Sequence, residues 1–97
     1  MARWPILSDG TDATPERVAE ILGAVRPYPT ECHPTVAAQL VESVTRNYSH
    51  ERPYLRALVG AEAGARVIAA DLVNRHIASG PAELAVVLTA AREMLAS

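Results

Sequence analysis

Three adjacent residues, Glu31, Cys32 and His33, bring together the residue types of a metal site or a thiol nucleophile. Thiolate and imidazole are ligands that suit zinc, and a helix start can lower the pKa of a thiol. A bundle of alternating helices would place His76 at the same end, so Cys32, His33 and His76 are the candidate metal ligands. Their spacing matches no established zinc pattern, however, and no metal site is predicted. The competing interpretation is that Cys32 packs as a small apolar residue and that Glu31 or His33 caps the helix.

Polar residues on the third predicted helix form a second group. Glu62 and His76 interrupt its apolar side, and Arg66 follows Glu62 by one helical turn. Asp71 and Arg75 have the same i, i+4 spacing, which allows an ion pair on a helix surface. Both pairs are typical of solvated helix faces. The functional alternative is that Glu62 and Arg66 mark a polar interface or a ligand pocket.

The motifs of common enzyme classes are missing. The sequence contains no phosphate-binding glycine loop, no Cys-x-x-Cys pair, no His-Glu-x-x-His and no Gly-x-Ser-x-Gly. We therefore predict no catalytic residue and no cofactor, and enzymatic activity is not favoured.

Charge and composition restrict the partners. The net charge is −2, and all nine positive charges are arginines, which suggests a GC-rich bacterial genome. This balance leaves no excess to neutralise a phosphate backbone, so nucleic-acid binding is disfavoured. A DNA-binding regulator that uses Arg46, Arg52 and Arg56 near one turn is the weakest alternative.

Cysteine content and hydropathy indicate the compartment. A single cysteine cannot form an internal disulfide, and the first residues, MARWPILSDG, lack the apolar run of a secretory signal. No apolar stretch approaches the 18 residues of a membrane span. We expect a cytoplasmic protein that does not enter a membrane.

Prolines and caps divide the chain into an arm and helices. Residues 1–13 predict an extended N-terminal arm that ends in a turn, with Trp4 either covering a groove or docking on a partner. Residues 14–97 predict one helical domain, in which helices start near Thr14, Pro34, Pro53 and Gly80. Apolar residues repeat at helical spacing in each segment.

The segment from Pro53 to Gly80 has apolar residues on more than one side. Such a helix is typical of a central position or an oligomer interface. Gly60 and Gly64, four residues apart, predict either a notch where another helix approaches or a kink. If the first helix is too short to complete the bundle, a second copy would have to cover the exposed stripe.

These patterns predict an all-α fold, a small up-and-down bundle of about four helices with an extended arm. The leading functional hypothesis is a protein–protein interaction module, such as an adaptor, an inhibitor or antitoxin, or an accessory subunit, that forms a homodimer and binds a protein partner. The predicted interface residues are Trp4, Ile6, Leu7, Val59, Gly60, Gly64 and Val67. The alternative is a small helical enzyme or metal-binding sensor that uses Cys32, His33 and His76.

Overall fold

The computed structural model describes residues 3–97, and the predicted all-α class is confirmed. Helical residues make up 69% of the structure, and no strand forms within the described part. The helices are α1 (Pro15–Gly23), α2 (Pro34–Tyr48), α3 (Arg52–Asn74) and α4 (Pro81–Ala96), with a short 3₁₀ turn (Ser49–Glu51) between α2 and α3.

The expected bundle of about four helices is corrected to three long helices, because α1 has only nine residues and packs mainly against α3. The order of packing also differs from an up-and-down bundle. Helix α4 packs extensively against α3 and also against α2, whereas α2 and α3, which are neighbours in sequence, share little contact. Helix α4 therefore covers most of the apolar side of α2, although Val41 on that side stays 45% exposed.

Prolines and a capping residue place the helix starts where the sequence predicted them. Pro15, Pro34 and Pro81 each begin a helix, where a missing N–H costs nothing. The Thr14 hydroxyl accepts a hydrogen bond from the Arg17 N–H at 3.1 Å and caps α1.

Gly80 precedes α4 with φ of 83°. A Cβ at this position would lie 2.9 Å from the carbonyl oxygen of Pro29. The left-handed φ and the close approach both require glycine, so the linker between α1 and α2 is held against the start of α4.

Helix α3 ends earlier than the sequence predicted. We expected it to run to Gly80, but it ends at Asn74. The N–H of His76 bonds to the Val73 carbonyl at 3.0 Å, and the N–H of Ile77 bonds to the Leu72 carbonyl at 3.0 Å. This is the Schellman arrangement, in which the residue after the C-cap takes a positive φ, here 59° at His76.

The two glycines of α3 have different roles. Gly60 has φ of 85° and φ/ψ values outside the helical region, so it kinks α3 as one interpretation predicted. Gly64 is buried, and a Cβ there would lie 2.9 Å from the Leu95 Cδ1 atom of α4. Gly64 therefore forms the notch that the other interpretation predicted. The kink and the notch are both present, each at a different glycine.

The core lies between the second half of α3, α4 and α2. Its largest fully buried side chains are Val44, Ile68, Leu72, Val87 and Leu95. Alanines fill the remaining contacts, which allows the helices to approach closely. Among residues 3–97, no helix combines the length and the apolar character needed to cross a bilayer.

The N-terminal arm is folded onto the helices. Leu7 and Ala13 are buried, and the Leu7 N–H bonds to the Thr11 carbonyl at 2.8 Å. An isolated antiparallel bridge joins Ile6 to Asp12, which closes the turn around Gly10. The described part of the arm is thus a compact hairpin-like loop that adds to the core.

Candidate functional site

Asp71 is the one charged residue that is buried among those described, with 5% of its surface exposed. Its Oδ1 accepts the backbone N–H of Ser8 at 2.7 Å. Its Oδ2 accepts the Ser8 hydroxyl at 2.8 Å and the Tyr48 hydroxyl at 2.5 Å. A buried carboxylate is costly unless such donors surround it. Asp71 therefore joins the arm, the end of α2 and the last turn of α3.

Arg75 extends this cluster to the surface. Its Nη1 donates a hydrogen bond to the Tyr48 hydroxyl oxygen at 3.3 Å. That hydrogen bond raises the pKa of Arg75. We call Ser8, Tyr48, Asp71 and Arg75 the polar clasp.

The Tyr48 hydroxyl is held in its protonated form. Burial raises the pKa of Tyr48 well above its usual range, and the hydrogen bond to Asp71 acts in the same direction. A phenol in this state is a donor to the carboxylate and does not serve as a base near neutral pH. The polar clasp is thus suited to binding and positioning.

A small cavity adjoins the polar clasp beneath the arm. Its volume is about 190 Å³. Apolar side chains form half of its lining, and residues such as Glu51, Asp71 and Arg75 supply polar groups to it. A partly enclosed space that combines apolar side chains with convergent polar groups is typical of a ligand pocket. The residues that line it are Pro5, Ile6, Leu7, Ser8, Tyr48, Glu51, Tyr54, Leu55, Val67, Ile68, Asp71 and Arg75.

A second concave surface lies between α2 and α4. This α2–α4 groove has a volume of about 640 Å³ and is more open than the cavity. Its lining residues are Val41, Thr45, Ala85, Val86, Thr89, Ala90, Glu93 and Met94. Val41 is 45% exposed there, although it belongs to the apolar pattern of α2. Glu93 is the one ionisable side chain in the lining.

The structure does not bring the candidate metal ligands together as a metal site. Within residues 3–97, no group of three or more His, Cys, Asp or Glu side chains is placed to hold a metal ion. The Nδ1 of His33 accepts the Thr35 N–H at 3.1 Å and caps α2, as the competing interpretation predicted. Cys32 is half-buried against the core, and His76 lies in the turn that follows α3.

The predicted pairing of Glu62 with Arg66 is corrected. Glu62 instead binds Arg92 of α4 through two hydrogen bonds, from Nε at 2.9 Å and from Nη2 at 2.8 Å. These bonds lower the pKa of Glu62. The pair is exposed, so it bridges two helices on the surface.

The proposed pairing of Asp71 with Arg75 on a solvated face is also corrected. Asp71 is buried, and its direct partners are Ser8 and Tyr48. The physical reason is tertiary: the arm and the end of α2 cover this part of α3.

The predicted interface residues separate into two groups. Leu7, Gly64 and Val67 are buried inside the chain, so they are not free for a partner. Trp4, Val59 and Gly60 are half-buried, and Ile6 is 56% exposed. The apolar residues on several sides of α3 are covered by α4, α1 and the arm.

The arginines proposed for DNA contact have partners within the chain. Arg46 pairs with Glu42 one turn earlier on α2. Arg52 donates through Nε to the Met94 carbonyl at 2.9 Å, near the end of α4, where helix carbonyls lack partners.

Three features of the site were missed from the sequence. Asp71 stands within the apolar run from Ile68 to Val73, and a carboxylate in such a run is a signal of a buried polar contact. Tyr48 shares the apolar face of α2, which places its hydroxyl towards the interior. The role of Ser8 has no signal in the sequence, because it arises from folding of the arm.

Comparison with known proteins adds no family: no protein-family model, no curated protein and no solved structure matches this chain.

Proposed function

We propose that this protein is a small helical protein–protein interaction module whose α2–α4 groove binds a second copy of the chain. The observation that carries the proposal is the open apolar groove itself, with Val41 45% exposed at a position where the helix pattern favours burial. Exposed apolar surface of this kind marks interaction sites. An adaptor, an inhibitor or antitoxin, or an accessory subunit would use such a module.

The groove chemistry favours a second copy as the occupant. Its lining is built from alanine, threonine, valine and methionine, so two such faces can approach closely without displacing bulky side chains. A two-fold arrangement uses the same surface on both copies, so one self-complementary face can form the whole contact. The net charge of −2 causes little repulsion between copies.

The arm has a smaller role in this proposal than the sequence suggested. Its buried residues hold it against α3, and its exposed apolar residue, Ile6, lines the cavity and not the groove. The interaction surface is therefore a helix face.

Light scattering after size-exclusion chromatography tests the proposal. The wild-type protein is expected to show twice the 10.4 kDa mass of one chain at high concentration. Val41→Arg places a charge in the groove and is expected to shift the protein to one chain. Ala63→Arg is the matched control, because Ala63 is exposed on α3 outside the groove lining, and it should stay dimeric. A wild-type protein that remains a single chain at all concentrations would overturn the proposal, as would equal effects of the two variants.

A further inference from the structure

The mouth of the cavity beneath the arm carries exposed apolar side chains. Ile6, from the arm, is 56% exposed, and Tyr54, from the first turn of α3, is 46% exposed. Both line the cavity together with the buried Leu55 and Ile68. The apolar part of the cavity wall therefore comes from the arm and from α3, and Ile6 and Tyr54 are the side chains exposed to a ligand.

The hydrogen bonds of the polar clasp show which polar groups are left for a ligand. Asp71 already accepts three hydrogen bonds, from the N–H and hydroxyl of Ser8 and the hydroxyl of Tyr48. Tyr48 donates to Asp71 and accepts from Arg75. The guanidinium of Arg75 has five N–H donors. One of them, on Nη1, has a hydrogen-bond partner among residues 3–97. Within the polar clasp, the unused hydrogen-bonding capacity therefore consists mainly of the donors of Arg75.

A planar guanidinium with free donors fits a carboxylate, which can accept two of them side by side. Glu51 also lines the cavity, and its carboxylate disfavours a ligand with a second negative charge. The cavity volume of about 190 Å³ exceeds the roughly 150 Å³ that accommodates benzene. The acceptable ligand is thus singly charged, with an apolar body about the size of one ring.

We propose that the cavity beneath the arm binds a small organic monocarboxylate, with its carboxylate on Arg75 and its aromatic or aliphatic body between Ile6 and Tyr54. The ligand would complete the hydrogen bonding of Arg75 and cover the exposed apolar side chains at the mouth. It would also link the arm to α3, in addition to the bonds of Ser8 to Asp71. This inference uses different residues from the α2–α4 groove and does not depend on dimer formation.

Titration with phenylacetate, followed by two-dimensional ¹H–¹⁵N NMR, tests the proposal. Saturable shifts are expected at the amides of Ile6, Ser8 and Tyr54, with a Kd of about 1 mM or tighter. Phenylacetamide has the same ring but no charge, so it should bind at least about tenfold more weakly. Phenylmalonate, which carries two carboxylates, should also bind more weakly because of Glu51. Absence of saturable shifts at these amides, or equal binding of phenylacetate and phenylacetamide, would overturn the proposal.

Three variants and one control variant separate the ligand site from the fold. Arg75→Gln should weaken phenylacetate binding at least about tenfold, whereas Arg66→Gln, on an exposed part of the same helix, should not. Tyr54→Ala removes a wall of the mouth without touching the polar clasp and should also weaken binding. Glu51→Gln should strengthen binding of phenylmalonate more than binding of phenylacetate. Unchanged affinity in both Arg75→Gln and Tyr54→Ala would contradict the assignment, even if phenylacetate binds elsewhere on the protein.

Discussion

Asp71 in α3 receives three hydrogen bonds from within the chain, whereas Val41 in α2 leaves 45% of its surface exposed. The region around Asp71 joins the arm, α2 and α3, and its buried polar atoms all have partners. The α2–α4 groove has the opposite character, since five of its eight lining residues are exposed: Val41, Thr45, Ala85, Thr89 and Glu93. The first region is therefore built for the stability of one copy. The exposed side chains of the second contribute little to that stability and are free for contact.

The largest loss of stability is expected for Asp71→Ala. Removal of the carboxylate leaves the Tyr48 hydroxyl and the Ser8 N–H without their acceptor, and the arm loses its main polar attachment. We expect the free energy of unfolding to fall by about 3 kcal/mol, measured by urea denaturation. Asp12→Ala, in the exposed part of the arm, is the control and should change it by less than about 0.5 kcal/mol. Equal losses in the two variants would show that the buried carboxylate has no special role.

A smaller effect is expected for Tyr48→Phe, which keeps the ring and removes the hydroxyl. The loss at neutral pH should be about 2 kcal/mol, because the hydroxyl no longer donates to Asp71 or accepts from Arg75, and both partners are charged.

The stability of the wild type and of Tyr48→Phe should also depend differently on pH. The pKa of Tyr48 is raised in the folded protein. The protonated hydroxyl therefore contributes stability that is fully present below the unfolded pKa of about 10 and is lost as the pH rises above it. Denaturation between neutral and alkaline pH should show a steeper decline in the wild type than in Tyr48→Phe. Tyr28→Phe, at an exposed position, should retain the wild-type slope, and a Tyr48→Phe slope equal to that of the wild type would contradict the assignment.

The smallest effect is expected in the groove. Val41→Thr replaces a methyl group by a hydroxyl at an exposed position and should change the unfolding free energy of the single chain by less than about 0.5 kcal/mol. Val44→Thr makes the same replacement one turn later on α2, where the side chain is fully buried, and should cost about 2 kcal/mol. Denaturation at a low protein concentration, where dimers dissociate, compares the two. Similar costs would show that the groove face is part of the stabilising core.

The helices themselves followed from local sequence. Thr14 and Pro15 start α1, Pro34 starts α2, and Gly80 with Pro81 starts α4, because capping and proline geometry depend on the nearest few residues. A kink near Gly60 was also predicted, with a notch for another helix as the alternative. The end of α3 was not predicted, because His76 takes a positive φ that glycine adopts more readily.

The candidate site depended on contacts that no local pattern contains. Ser8 and Asp71 are 63 residues apart in the chain, and their hydrogen bonds exist only because the arm folds back on α3. Glu62 pairs with Arg92 and not with Arg66, because α4 lies beside that face of α3. Local sequence thus sets where the helices begin, because caps and prolines act on their nearest neighbours. Which faces are covered depends on the element that packs opposite, so only the folded chain places Asp71 inside and leaves the α2–α4 groove open.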